Sequence, residues 1–248
     1  MKKLMRFFII FLFIINTTGC SQEPMTAGDI IAKSVERHGG ESLTDWETMV
    51  IKGEVNQRDN RLRFRGEYLL FARKPDKLRI ERDLTKYERG RYFFTYIYNN
   101  GVGWSIRNLI PSYSGRYAEQ YKSWLDKCDG IAYYAQNAEA LILKPEETVN
   151  GKPVYVITAA VGSDSTNLYI DKKSFYLVQE TYGSVKRVFS DFKKFGKTVH
   201  AARIDEITTS RRSTNEDNFI YYSIEYNVPI DPLLFEEDMP REPGGTIR

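Results

Sequence analysis

Side chains able to do covalent or acid–base chemistry are few in this chain, so their neighbours decide what they could do. There are two histidines, His38 and His200, and two cysteines, Cys20 and Cys128. A hydrolase needs a nucleophile beside a base, or a metal held by several ligands. His38 falls at the end of a helical pattern, where a partly exposed capping role suits it. His200 falls inside a strand pattern and reads as structural. No H-E-x-x-H, G-x-S-x-G, C-x-x-C or phosphate-loop pattern occurs. Carboxylates adjoin at Glu146-Glu147 and Glu236-Glu237-Asp238, in segments that read as solvated loops. Arg211-Arg212 reads the same way, with contact to lipid headgroups as the alternative. The expectation is no enzyme, no catalytic residue, no metal site and no cofactor.

Cys20 differs because of what precedes it. Lys2, Lys3 and Arg6 form a positive head, and Phe7 to Ile15 is wholly apolar. That run is too short for a bilayer core, which needs about 20 residues, but it suits the core of an export signal. Asn16-Thr17-Thr18-Gly19-Cys20 follows. This resembles the lipobox of bacterial lipoproteins, with Thr17 in place of the usual leucine. The resemblance implies diacylglyceryl transfer to the Cys20 sulfur, cleavage after Gly19 and acylation of the new amino terminus. A plain secretory signal with a chance cysteine is the competing reading. One acyl chain holds a protein on a membrane only reversibly, whereas two or three hold it durably. Ser21 stands where, in the bacteria that define the rule, an aspartate retains lipoproteins at the inner membrane. The expected location is therefore the outer membrane, facing the periplasm.

The signal carries three basic residues and no acidic one. The 36 basic and 33 acidic residues of the whole chain therefore become 33 of each, and net charge zero. Nucleic-acid binding needs a basic surplus or stripe, and none is evident. With Cys20 lipidated, Cys128 has no disulfide partner within the chain and reads as a small buried hydrophobe.

The elements that follow set the architecture. Residues 1–19 are the signal, 20–25 a tether, 26–240 one domain and 241–248 a loose tail. Thr26 to Asp29 has the form of a capping box, and Ile30, Ile31, Ser34 and Val35 share a helical face that ends at Gly39-Gly40. From Thr48 the apolar period is two. Leu62, Phe64, Tyr68, Leu70 and Ala72 share one strand face and Arg63, Arg65, Glu67 and Arg73 the other, although Leu69 and Phe71 lie there too. Arg58-Asp59-Asn60 reads as the preceding hairpin turn. Tyr92, Phe94, Tyr96 and Tyr98 alternate, Asn99-Asn100-Gly101 turns the chain, and Trp104 opens the next strand. Ser114 to Lys127 and Ala132 to Leu143 have helical spacing. Strands return after Pro145 and continue to Val228 with short polar connections. The reading is a helix, about five strands, two helices and about six strands. That is an α+β fold in which a large antiparallel sheet curls under its own twist and carries helices on one face.

Several short motifs then point to a family. Lys74-Pro75-Asp76-Lys77-Leu78-Arg79, Tyr98-Asn99-Asn100-Gly101-Val102-Gly103-Trp104, Val149-Asn150-Gly151-Lys152-Pro153-Val154-Tyr155, Leu168-Tyr169-Ile170-Asp171 and Tyr226-Asn227-Val228-Pro229-Ile230-Asp231 occur in that order. Together they resemble the LolA/LolB type of lipoprotein-sorting carrier, as a divergent member with a lipobox. The resemblance implies a half-open β-barrel of about 11 strands with helices over a hydrophobic cavity, holding acyl chains of a lipid or lipoprotein in transit. It also implies, for the anchored receptor form, an exposed apolar loop that inserts into the membrane, for which no clear equivalent stands out in this sequence. Candidate lining residues are Tyr68, Leu70, Phe94, Tyr96 and Trp104, with Trp124 on a covering helix. Periodicity shows that they point inward, and leaves open whether the interior is filled. Two other readings stand beside the carrier: an envelope-stress regulator that binds a protein partner, and a structural lipoprotein with a solid core.

Overall fold

The computed structural model describes residues 24–59, 62–84, 92–161, 164–211 and 213–236. Cys20, the signal, most of the tether, Glu237, Asp238 and the expected tail lie outside the described residues. The first helix, α1 (Ala27–His38), starts at the expected capping box. Thr26 Oγ1 accepts from the Asp29 amide at 3.2 Å, and the Thr26 amide donates to Asp29 Oδ2 at 2.9 Å. Such a cap contributes about 1 kcal/mol. A 3-10 turn over Gly40–Leu43 follows.

Strands β1 (Thr48–Asp59), β2 (Leu62–Arg73), β3 (Lys77–Asp83), β4 (Phe93–Asn99), β5 (Val102–Arg107) and β6 (Ile110–Tyr113) form an antiparallel meander. Helices α2 (Gly115–Asp126) and α3 (Ile131–Asn137), with a 3-10 turn over Lys127–Asp129 between them, lead to a second meander. Its strands are β7 (Ala140–Val149), β8 (Lys152–Val161), β9 (Asp164–Asp171), β10 (Leu177–Tyr182), β11 (Val185–Phe195), β12 (Thr198–Thr209) and β13 (Thr214–Tyr226). β13 pairs with β1, so the two meanders make one open sheet of 13 strands among the described residues, with β6 and β7 at its edges.

The half-open antiparallel architecture agrees with the sequence reading, and the strand number is corrected upward. The two added strands are the edges. β6 has only four residues and contains Pro111. β7 begins inside the segment read as helix to Leu143. There Leu141 pairs with Ala159 and Leu143 with Ile157, so ladder bonds to β8 override the helical preference of an alanine-rich stretch. Glu146 and Glu147 accordingly sit in an edge strand, where the ladder shifts between Lys144 and Glu147 around Pro145. Proline and charge on an edge discourage pairing with another chain. Arg58 and Asp59 likewise extend β1, opposite Arg63 and Leu62, so the hairpin reverses later than the sequence suggested.

The sheet is strongly coiled, and Gly66 permits part of the coiling. A Cβ at Gly66 would lie 1.9 Å from the Asp83 carbonyl oxygen, so the end of β3 folds in over β2 only because that atom is missing. On the concave face, two apolar clusters result. One joins β1 to β4 and β13 with Tyr121 and Leu125 of α2. The other joins β8 to β10 with α1 and with Ile131, Ala132 and Tyr134 of α3. The helical segment between the sheet edges therefore crosses the concave face and touches both clusters. On the convex face, Leu69 and Phe71 find the cover that the sequence pattern left unexplained. Phe235, fully buried in a 3-10 turn over Pro232–Phe235, packs there with Val50 and Phe71.

Candidate functional site

The expected lining residues can be placed by strand register, since side chains directly opposite each other share a face. Leu70 pairs with Ile80, Ile80 with Tyr96, Tyr68 with Arg82, and Arg82 with Phe94. Tyr68, Leu70, Phe94 and Tyr96 thus share the concave face, and α2 lays Trp124 over them. The Tyr96 ring lies 5.6 Å from Trp124 and 5.7 Å from Tyr121, and Tyr68 lies 5.2 Å from Phe219. Trp104 is corrected. It pairs with Ile97, on the opposite face from Tyr96, and is buried on the convex side. Its strand is one residue out of step with the assumed alternation because Gly103, opposite Tyr98, holds the inward position. A Cβ at Gly103 would meet the Ala118 nitrogen at 2.5 Å, so the missing side chain lets α2 lie directly on β5.

This face is filled by its own side chains. Tyr68 and Leu70 are 5% and 6% exposed, and burial pushes the phenol of Tyr68 well above its ordinary value, so it stays neutral. A ligand therefore has to part the crossing segment from the sheet. Polar contacts through Asp129 and Tyr134 help to hold that segment down. Asp129 accepts from Lys74 at 2.8 Å and from the Trp46 indole at 2.9 Å. The Tyr134 hydroxyl donates to Glu180 at 3.0 Å.

Between the two apolar clusters the concave face carries charge. Arg82 Nη1 meets Asp217 Oδ2 at 2.9 Å. Arg187 bonds Glu206 at 2.6 Å and Glu180 at 3.1 Å. Lys127 reaches down from the 3-10 turn, its ammonium 4.2 Å from the Tyr182 ring centre. Burial lowers the Lys127 ammonium and raises the Asp217 carboxyl. The result is a charge-balanced belt of three cations and three carboxylates inside the curl. Arg82 on β3 and Asp217 on β13 have β2 and β1 between them in the sheet, so their pair spans the curve.

A cavity of about 630 Å³ lies near the hairpin ends of β1, β2, β12 and β13, and the belt carboxylates Glu206 and Asp217 line part of it. Most of its lining belongs to the other face, including Asn56, Arg65, Arg203, Asp205 and Asn218. It does not coincide with the aromatic face.

No family model matches this sequence, and no curated protein does. Solved structures match its shape over most of its length. A DUF1329 family protein from Desulfovibrio piger aligns with a TM-score of 0.58 at 13% identity, covering 84% of this chain and 95% of that one. A LolA superfamily protein from Nitrosomonas europaea gives 0.57 at 10% identity, covering 85% and 98%. A Vibrio parahaemolyticus domain assigned to outer membrane lipoprotein sorting gives 0.52 at 9%, covering 85% and 97%. The chain has the LolA-like fold.

In this LolA-like sheet the tip between β5 and β6 is apolar. Leu109 and Ile110 are 60% and 71% exposed. Asn108 and Leu109 both have positive φ, 48° and 70°, as the two-residue reversal from Arg107 to Ile110 requires. Leucine there is unusual, since the left-handed region favours glycine, asparagine or aspartate. Both histidines are held by hydrogen bonds within the fold. His38 is buried, not a partly exposed cap. Its Nδ1 bonds the Val199 carbonyl at 2.8 Å and its Nε2 accepts from the Leu177 amide at 3.2 Å, which fixes a neutral ring. His200 lies 2.6 Å from the Tyr226 hydroxyl. Burial pushes the Cys128 thiol up to about 12, which keeps it an unreactive thiol.

The belt escaped the sequence reading, although a signal for it exists. Arg82, Arg187, Glu206 and Asp217 each stand two residues from an inward apolar side chain: Ile80, Phe189, Ile204 and Phe219. A charge at an inward position of a buried strand needs a partner inside. Neighbouring strands supply it for Arg187 and Glu206, whereas Arg82 and Asp217 meet across the curl of the sheet.

Proposed function

We propose that this chain is a cell-envelope lipoprotein, anchored through Cys20, whose concave face binds acyl chains of a lipid or lipoprotein in trafficking at the outer membrane. The observation that carries the reading is the aromatic concave face of an open sheet, covered by a helical segment that lies across it. Exposed apolar surface costs about 25 cal/mol per Å² in water. Tyr68, Leu70, Phe94, Tyr96 and Trp124 can replace that water around an acyl chain once α2 lifts. Transfer is passive: chains exchange between sites of similar affinity, and no residue performs a chemical step. The likeness to a lipoprotein-sorting domain and to a LolA superfamily protein supports this reading through shared fold. The exposed Leu109-Ile110 tip suits contact with a membrane surface, where those side chains leave water.

The test is to isolate the full chain carrying Cys20→Ser from the cell envelope, extract it with organic solvent and identify released lipid by mass spectrometry. An acyl lipid or lipopeptide near one per protein is expected. If none is released, and a fluorescent fatty-acid probe fails to bind, acyl binding is wrong and a packed scaffold or a protein-binding module takes its place.

A further inference from the structure

Resting on acyl binding, the structure assigns the Arg82–Asp217 end of the charged belt as a subsite for an amide group attached to the acyl chain. The pair is joined by one bond, from Arg82 Nη1 to Asp217 Oδ2. Arg82 Nε and Asp217 Oδ1 are buried and have no hydrogen-bond partner among the described residues. The same holds for Asn215 Oδ1, two residues from Asp217 on the same face of β13. One donor and two acceptors, each atom itself shielded from bulk water, are therefore unfilled. Most buried polar groups in folded proteins are bonded, and each one left unpaired works against stability. Three such atoms beside one ion pair mark a place built to be completed.

The surroundings define what completes it. The Arg82 guanidinium lies 5.1 Å from the Phe219 ring and 5.8 Å from the Tyr96 ring, the same rings that form the aromatic face. An acyl chain lying on that face would meet the belt with its polar end. A bare carboxylate brings only acceptors and sets a charge against Asp217. An ester also brings only acceptors, which serve Arg82 Nε and leave the oxygens of Asp217 and Asn215 unfilled. An amide brings both halves: a carbonyl for Arg82 Nε–H and an N–H for Asp217 or Asn215. A site whose buried groups need a donor discriminates strongly against the analogue that lacks it.

The test compares N-methyldodecanamide with methyl dodecanoate, which differ by N–H for O. Each displaces a fluorescent fatty-acid probe from the full chain carrying Cys20→Ser. The expected result is about tenfold tighter binding of the amide, the effect of roughly one further buried hydrogen bond. Exchanging the pair for apolar side chains, Arg82→Met with Asp217→Leu, should abolish that preference while probe binding persists. Asp217→Asn, which keeps the shape, should reduce it. Equal binding of the two compounds by the unaltered chain overturns the subsite and leaves acyl binding standing. A preference that survives in the double variant overturns its assignment to this pair. Failure of every probe to bind overturns acyl binding itself, and the subsite with it. Two biological sources share this chemistry, the acylated amino terminus of a lipoprotein and an amide-linked lipid. Tighter binding of N-dodecanoylglycylserine than of N-dodecanoylethanolamine identifies the first, and the reverse order the second.

Discussion

Replacing Asp217 by leucine removes the partner of a buried guanidinium, and the consequence can be worked from the geometry. Two unit charges 2.9 Å apart attract by about 6 kcal/mol at an effective dielectric of about 20. Most of that offsets the cost of taking both groups out of water. The Arg82 and Asp217 side chains keep only 17% and 11% of their exposure. Deleting one partner of such a pair costs about 3–5 kcal/mol, because a charge is left buried and uncompensated. The residual exposure of Arg82 places the expected loss at the lower end, about 3 kcal/mol, or a fall in Tm of roughly 6–12 °C for a chain of this size. Arg82→Met should cost a similar amount. Both changes together should cost less than either alone. Burial raises the Asp217 carboxyl by more than Arg82 pulls it down. A carboxyl raised on folding favours the fold below its unfolded value, and that contribution is lost as pH rises through the raised value. At pH 7 the ionised group thus works against the fold, and the double variant removes that cost. The double variant's loss relative to the parent should therefore grow as pH falls into the ordinary aspartate range. Thermal and urea unfolding of the four proteins, followed by circular dichroism, measure the cycle. A double variant that loses the sum of the two single losses would refute the reasoning.

Other expectations follow from single contacts. Gly66→Ala should cost about 3 kcal/mol, at the upper end for an added methyl group, because its Cβ meets a backbone carbonyl that cannot rotate away; urea unfolding within 0.5 kcal/mol of the parent would contradict the close approach of β3. Burial pushes His200 down to about 4, and burial also lowers His38. Their unfolded forms take up protons first, so stability should decline as pH falls from about 6.5 towards 4, by up to about 3 kcal/mol from His200 alone. His200→Gln should flatten part of that decline, and an unchanged pH profile would show that the ring is not held neutral. Leu109→Gly should raise unfolding stability by about 1 kcal/mol by relieving a left-handed leucine. In the Cys20→Ser background the same change should weaken binding to phosphatidylethanolamine–phosphatidylglycerol vesicles about tenfold, as loss of one inserted leucine implies. Unchanged vesicle binding would remove the tip from the membrane-contact reading.

Much of this molecule is legible in its sequence because strand alternation and turn chemistry act locally. The faces of β2 follow from Phe64, Tyr68, Leu70 and Ala72 on one side and Arg63, Arg65 and Glu67 on the other. The positive φ of Asn100-Gly101 and of Asn150-Gly151 matches the turns read there. What stayed hidden is set by contacts distant in sequence. Ala140 to Leu143 is a strand because β8 lies beside it, which no local preference reports. Trp104 faces outward because Gly103 makes room for α2, and only the helix position reveals that. Leu69 and Phe71 are covered by residues more than 150 positions later, so their mismatch with the alternation could not be resolved locally. The candidate site is the least legible part, because alternation gives direction and says nothing of what lies opposite. Arg82 and Asp217 meet only through the coiling of the sheet.

Photo-crosslinking tests the central account most directly. A palmitate analogue carrying a diazirine near its methyl end is incubated with the full chain carrying Cys20→Ser, irradiated, and its adducts mapped by peptide mass spectrometry. Acyl binding on the concave face predicts adducts on the β2 and β4 peptides holding Tyr68, Leu70, Phe94 and Tyr96 and on the α2 peptide holding Trp124, all displaced by unlabelled palmitate. Absence of displaceable adducts, or adducts confined to the outer face around Arg63 and Tyr222, would contradict it.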